Sequence, residues 1–213
     1  MNKLKMKKLL SLLCFVMIYN LSFAQESETI TLPAPDTEKG LPLMKAFSVR
    51  ASVREWSSQK LSGQDLSDLL WAANGINRAD GRKTAPSAQN AQDVDIWVFM
   101  PEGIYFYNAV KHALDLVVKG NYMDLPGKTD APLNIVLTTD ISKFRGGSDS
   151  LRLGWGNIDT GIVSQNISLF CAGAGLKTRP RAMFPETDKI REILKLKSTQ
   201  IIILNHPVGY EKK

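Results

Sequence analysis

The residue types that carry most enzyme chemistry are scarce in this chain. It has two histidines, His112 and His206, and two cysteines, Cys14 and Cys171. The histidines are 94 residues apart, each in a segment that reads as ordinary packing, so neither suggests a metal ligand. Cys14 lies inside an N-terminal apolar run, which leaves Cys171 alone in the rest of the chain; an internal disulfide is excluded there, and a lone cysteine gives no pattern for a cysteine metal site. The sequence has no P-loop, no His-Glu-x-x-His and no Gly-x-Ser-x-Gly elbow, and nothing brings a Ser-His-Asp triad together. Gly173-Ala-Gly175 follows a helical pattern and lacks a third glycine, so it is no dinucleotide turn. Repeats and domain linkers are absent. Metal hydrolysis, P-loop nucleotide chemistry and triad hydrolysis are thus without a signal.

What is present begins with a processing signal. Lys3, Lys5, Lys7 and Lys8 precede an apolar run from Leu9 to Ile18, and Ser22-Phe-Ala24 closes with a small-x-small pattern. This reads as a secretory signal peptide over residues 1–24, implying an exported protein, periplasmic or secreted, with no stable membrane anchor after cleavage. The formal charge of +6 owes much to these lysines; without them 23 basic residues face 21 acidic ones. A net of +2 gives no nucleic-acid footprint.

After a polar leader, residues 25–40, the remainder 41–213 reads as one domain. Leu43, Ala46 and Phe47 have helical spacing. Ser62 with Asp65 three residues on is a capping-box start for a helix carrying Leu66, Leu69, Leu70 and Ala73, stopped at Gly75. A long loop rich in Gly, Pro, Ser and Asn, residues 77–92, follows. Asp95-Ile-Trp-Val-Phe-Met100 and Ile104-Tyr-Phe-Tyr107 predict a hairpin about Pro101-Glu-Gly103. Residues 109–118 predict a helix with Ala113, Leu114 and Val117 on one side. Residues 132–139 predict a central strand, 144–155 a glycine-rich connector, 159–174 a long helix, 187–196 a short one and 200–204 a strand.

Chemistry concentrates in Ser48-Val-Arg-Ala-Ser-Val-Arg-Glu-Trp56. Arg50 and Arg54 bracket Ser52, and guanidinium forks with a hydroxyl match a phosphate. Alternatively Arg50 caps helix carbonyls and Arg54 is a solvated charge. Further pieces fall in order: Leu69-Leu-Trp-Ala-Ala-Asn-Gly-Ile-Asn77, Gly81-Arg-Lys-Thr-Ala-Pro-Ser87, Pro86-Ser-Ala-Gln-Asn-Ala-Gln92, Gly161-Ile-Val-Ser-Gln-Asn166, Gly175-Leu176 and Pro207-Val-Gly-Tyr210. In this order the chain resembles the nitroreductase family of FMN-dependent oxidoreductases, with the Leu-Leu-Trp-Ala-Ala and Gly-Arg-x-Thr-Ala-Pro-Ser blocks similar to its SagB-type, azoline-oxidising branch.

The resemblance implies an α+β fold in three layers, α/β/α, with a mixed, mainly antiparallel sheet flanked by helices, and a homodimer with FMN at the interface. It implies a cofactor site of Arg50, Ala51, Ser52 and Arg54 at the phosphate, Asn90 and Gln92 at the ring and ribityl, Arg181, Ala182 and Met183 lining the reactive edge, and Lys212 and Lys213 near the phosphate. The flavin itself, not an acid–base side chain, would carry hydride from a reduced donor such as NAD(P)H to a small organic acceptor of nitro, quinone or azoline/enone type. Departures occur at Asp93-Val94, where the family has an aromatic or proline, and at Met183, where it has glycine. They motivate an alternative, a non-catalytic flavin- or ligand-binding protein on the same scaffold.

Overall fold

The computed structural model describes residues 28–212; the expected signal peptide and Lys213 lie outside these residues. Seven strands form one sheet in the order β1-β4-β3-β2-β5-β7-β6. They are β1 (Thr29–Thr31), β2 (Val94–Met100), β3 (Gly103–Asn108), β4 (Ala113–Lys119), β5 (Leu133–Asp140), β6 (Leu176–Thr178) and β7 (Gln200–Tyr210). Every strand pair is antiparallel, and a parallel contribution comes from the bridge between Ser52 and Thr178. Four α-helices join them among the described residues: α1 (Leu43–Val49), α2 (Gly63–Asn74), α3 (Asp149–Gly173) and α4 (Thr187–Ile193).

Strand alternation builds the layers. Ile96 and Val98 point to one face, where they meet Leu69, Leu70 and Ala73 of α2 and Val163, Ile167 and Cys171 of α3. Trp97 and Phe99 point to the other, against Ile190 of α4 and Leu194 just beyond it. Each such large side chain contributes roughly 1.5–3 kcal/mol by leaving water. β5 is buried at every position, as its apolar run predicts for a central strand. The architecture is the three-layer α+β fold that the resemblance implied.

Ser62 caps α2 by accepting from the Asp65 amide, and Gly75 ends it, in agreement with the capping-box reading. Three readings need correction. Residues 109–118 do not form a helix: the chain turns, with His112 at φ 47°, and enters β4. Ala113, Leu114 and Val117 fit a helical face, but Leu114 and Leu116 also fit a strand face, and pairing with β3 selects the strand. Val117 is the extra residue of a bulge, which turns Val118 toward the opposite layer. The connector 144–155 is too long, because α3 starts at Asp149 on a Ser148 cap. Gly154 and Gly156 lower helix propensity there, but Gly156 is required by packing: a Cβ would lie 2.3 Å from Thr139 Oγ1 of β5. The final strand extends past residue 204 to Tyr210, through Pro207. The leader is extended, and its residues 29–31 pair with β4 as an edge strand.

Candidate functional site

Residues 50–57 run as a fringe along the β6 edge. Ser52 bridges Thr178, the Val53 amide donates to the Thr178 carbonyl at 3.3 Å, Trp56 Nε1 donates to the Lys177 carbonyl at 2.9 Å, and the Ser57 amide donates to the Tyr210 carbonyl at 3.0 Å. The fringe therefore has a fixed backbone. Three of its polar side chains are free: Arg50, Ser52 and Arg54 are exposed and make no side-chain hydrogen bond or ion pair among the described residues. Arg50 does cap α1, but through its backbone amide to the Ala46 carbonyl at 2.9 Å, which leaves the guanidinium unoccupied. Ala51 is exposed between them.

β6 adds a residue that the motif reading missed. Arg179 follows Thr178, and its Nε is buried without a hydrogen-bond partner. A buried guanidinium nitrogen left unpaired is costly, and an anionic or carbonyl acceptor at this place would relieve it. Arg-Pro-Arg181 was the available signal, since only Arg181 was singled out. Arg181 is otherwise engaged. Its Nε donates to Asn205 Oδ1 at 2.7 Å, its terminal nitrogens to the Lys128 and Gly127 carbonyls at 3.1 and 3.2 Å, and its backbone exchanges two hydrogen bonds with Asn205. It is a staple between β7 and the 127–128 turn. Burial, with Arg179 adding, lowers its pKa. Ala182 and Met183 stand beyond it, Met183 at 85% exposure. Lys212 reaches the fringe through an ion pair with Glu55 at 3.6 Å, while Lys213 is outside the described residues. An open depression of about 890 Å³ lies beside the fringe between Trp56, Gly175, Tyr210 and Lys212. Asp130 and Glu211 on its walls make it a poor seat for a phosphate.

The loop 86–92 is built differently. Gln89, Asn90 and Gln92 all have positive φ, 58°, 54° and 48°, a strained set that needs external support. Ser87 supplies it locally: its hydroxyl accepts from the Gln92 amide at 2.9 Å and its carbonyl from the Asn90 amide at 3.0 Å. Gln89 exchanges two hydrogen bonds with the Arg145 backbone, at 2.8 and 3.1 Å. Gln92 Nε2 donates to the Gly81 carbonyl at 3.1 Å, so its side chain holds its own loop. Asn90 alone of these three amides keeps an unpaired, exposed side chain.

From below, Asp159 of α3 accepts from the Ala88 amide at 2.8 Å. Asp159 is buried with Asp93 beside it; burial first, then that carboxyl, push its pKa up to about 7 against the pull of the Ala88 amide. Asp93 accepts from Thr139, and its other oxygen has no partner. Two carboxyls so placed do not both ionise readily. Asp93 thus stands beside the carboxyl that supports the loop, though sequence marked it only as a departure.

The histidines are structural. His206 is buried between Ser164 Oγ at 2.8 Å and Thr178 Oγ1 at 3.3 Å, and burial, then Arg181, push it down to about 3. His112 contacts Ser67 Oγ and Tyr107 Oη at 2.7 and 3.0 Å. Groups of three or more potential metal ligands are absent among the described residues.

The fringe and the loop do not meet at one point of the subunit. The segment leading into α1 joins the C-terminal end of α3, where Leu41 donates to the Gly173 carbonyl, and the fringe follows α1 onto β6 just after that end, whereas the loop rests on Asp159. Those stations are about 20 Å apart along the helix axis.

Comparison with known proteins gives this arrangement a context. The sequence profile described as "Nitroreductase family" matches residues 48–210. A nitroreductase of Methanocaldococcus jannaschii is 28% identical over 196 residues, covering 85% of this chain and 97% of that protein. The crystal structure of a nitroreductase from Ralstonia eutropha is 34% identical, with a TM-score of 0.81 over 88% of this chain and 92% of the other. A chain of the Escherichia coli microcin synthetase complex shares the fold at 18% identity, with a TM-score of 0.68 over 91% of this chain and 82% of its own.

Proposed function

The chain belongs to the nitroreductase family of FMN-dependent oxidoreductases, and we propose that it is an exported member that holds FMN between two subunits and passes hydride from a donor such as NAD(P)H to a small organic acceptor of nitro, quinone or azoline/enone type. One observation carries the cofactor reading: Arg50, Ser52, Arg54 and the orphaned Arg179 Nε are unpaired beside one another on a fixed backbone. Such a set fits a phosphate ester and the polar strip that follows it. Bound FMN would supply the two-electron chemistry. The chain's own work is to grip the phosphate with Arg50, Ser52 and Arg54, to present the Asn90 amide as donor and acceptor, and to keep the segment 181–183 in place through the Arg181 staple.

The homodimer reading is supported by surface and by distance. α3 exposes Leu151 and Ile158, with Gly154 and Gly161 on open space along the same helix, and α1 exposes Leu43, Met44 and Phe47. Apolar groups so arranged suit a second copy. A two-fold axis across α3 sets its C-terminal end in one subunit against its N-terminal half in the other, which brings the fringe of one to Asn90 of the other.

The test is subunit mixing. Arg50→Ala/Arg54→Ala and Asn90→Gly variants are each expected to retain little FMN, judged by visible absorbance and chromatographic identification of the released chromophore. Refolded together, they form mixed dimers with one intact site, and FMN retention returns in part. No recovery would place both groups in one subunit's site, and a wild type that neither retains nor rebinds FMN would remove the cofactor reading. The Asp93 and Met183 departures favour the second reading, a flavin- or ligand-binding protein without turnover. Steady reduction of a quinone by a reduced donor would eliminate it. Export is tested separately by fractionating an expressing strain; retention of the chain in the cytoplasm would end it.

A further inference from the structure

A second cavity, of about 440 Å³, lies beside Ala91 and Gln92 of the loop, between the C-terminal end of α2 and the β2–β3 hairpin. Its volume lies in the range of small-molecule sites. Its walls are largely apolar, with Ile76, Phe106 and the exposed Val110 among them, and carry three charges: Lys83, Lys143 and Asp95.

The charges are unevenly matched. Lys143 Nζ pairs with Asp95 Oδ1 at 3.3 Å and also donates to the Gln92 carbonyl at 3.2 Å. The other oxygen of Asp95 accepts from Gln200 at 3.2 Å. Lys83 has neither an ion pair nor a hydrogen bond at its ammonium among the described residues. Burial, with Lys143 adding, lowers its pKa, while Asp95 and Asp93 pull the other way. Asp93 does not line the cavity and accepts from Thr139, so it acts on Lys83 from behind the wall without pairing with it. The cavity walls therefore hold one positive charge in excess, on a largely buried group that water serves poorly.

We propose that this cavity binds a small organic monoanion, a carboxylate on an apolar body, with Lys83 pairing the carboxylate and Ile76, Phe106 and Val110 covering the body. One negative charge balances the excess; a phosphate dianion would leave a charge unpaired against apolar walls. Gln92 and Gly81, which close the base of the loop on each other at 3.1 Å, form part of the wall, so an occupant lies against the loop that carries Asn90. The site does not rest on the flavin reading: Lys83 is not among the groups assigned to FMN, and Gln92, which the resemblance put at the flavin, has its side-chain amide bonded to Gly81.

The experiment is calorimetric titration of the purified protein with hexanoate, an aliphatic acid that does not stack on a flavin. Hexanol supplies the body without the charge, and inorganic phosphate the charge without the body. Wild type, Lys83→Met and Lys83→Arg are compared, and FMN retention is recorded for each. The expected result is saturable hexanoate binding that weakens at least tenfold in Lys83→Met and is largely kept in Lys83→Arg, no saturable binding of hexanol or phosphate, and unchanged FMN retention. Equal hexanoate affinity in wild type and Lys83→Met, or absence of saturable binding, overturns the site. Phosphate binding that depends on Lys83 overturns the ligand class. Loss of FMN in Lys83→Met would show that the residue serves the flavin instead.

Discussion

Along the fringe at residues 50–54 the backbone is held and the side chains are free. In the loop 86–92 three of the four polar side chains are used to hold the backbone, and Asn90 is left over. The fringe borrows rigidity from a strand edge through main-chain bonds, so its arginines have no structural duty. The loop carries three residues at positive φ and draws its support from Ser87, Arg145 and the buried Asp159. Ligand binding and fold stability are separable in the first region and coupled in the second.

The largest expected effect falls on the fringe. Arg50→Ala/Arg54→Ala should weaken FMN binding at least 100-fold, since charge-assisted hydrogen bonds contribute about 1.5–3 kcal/mol each. Thermal unfolding of the FMN-free protein should not move, and a drop of many degrees would show that the guanidiniums do hold the fold. Next comes the loop's support. Asp159→Ala removes the acceptor of the Ala88 amide and should destabilise the FMN-free protein by about 1–3 kcal/mol, with FMN binding weakened as well. Denaturant unfolding and flavin titration would read the two together; unchanged stability would break the contrast.

Arg179→Met sharpens the comparison from within the strip. FMN affinity should fall about tenfold, as expected for one charged hydrogen bond. Stability should hold or rise, because an orphaned buried nitrogen and the repulsion of Arg181 both disappear. The smallest effect is a pH dependence. Asp159 is pushed up to about 7 in the fold, against roughly 4 for an unfolded carboxyl. The folded state thus keeps a proton that the unfolded state releases in this window, and the stability it contributes is full at low pH and lost as pH rises through about 7. His206, pushed down to about 3, acts in the opposite sense below its ordinary pKa, so the difference between proteins is the quantity to follow. From pH 5 to 8, Asp159→Asn should lose a few degrees less of Tm than wild type, a size set by the usual relation of free energy to Tm. Parallel curves would refute the assignment.

Much of the fold was legible because its signals are local. Ser62 and Gly75 mark α2 by capping chemistry, and the apolar run at residues 133–139 marks the central strand. β4 was misread because Ala113, Leu114 and Val117 satisfy a helical period, and only the β3 partner with its bulge decides otherwise. The start of α3 was hidden by its glycines, of which Gly156 has its reason in Thr139, on a strand. In the candidate site, Arg50, Ser52, Arg54 and Asn90 could be named from their motifs, while Arg179, Asp93 and Asp159 acquire their roles only from burial.

The sequence by itself determined the ordered blocks, the family and which amino acids are offered to a phosphate, since these reside in residue identity and spacing along the chain. The tertiary structure decided which of those side chains remain free: Arg181 and Gln92 are bound to Asn205 and Gly81, whereas Arg54 and Asn90 are not. A hydrogen-bond donor is available to a ligand only if no acceptor has been folded against it, and that depends on contacts between segments far apart in the chain.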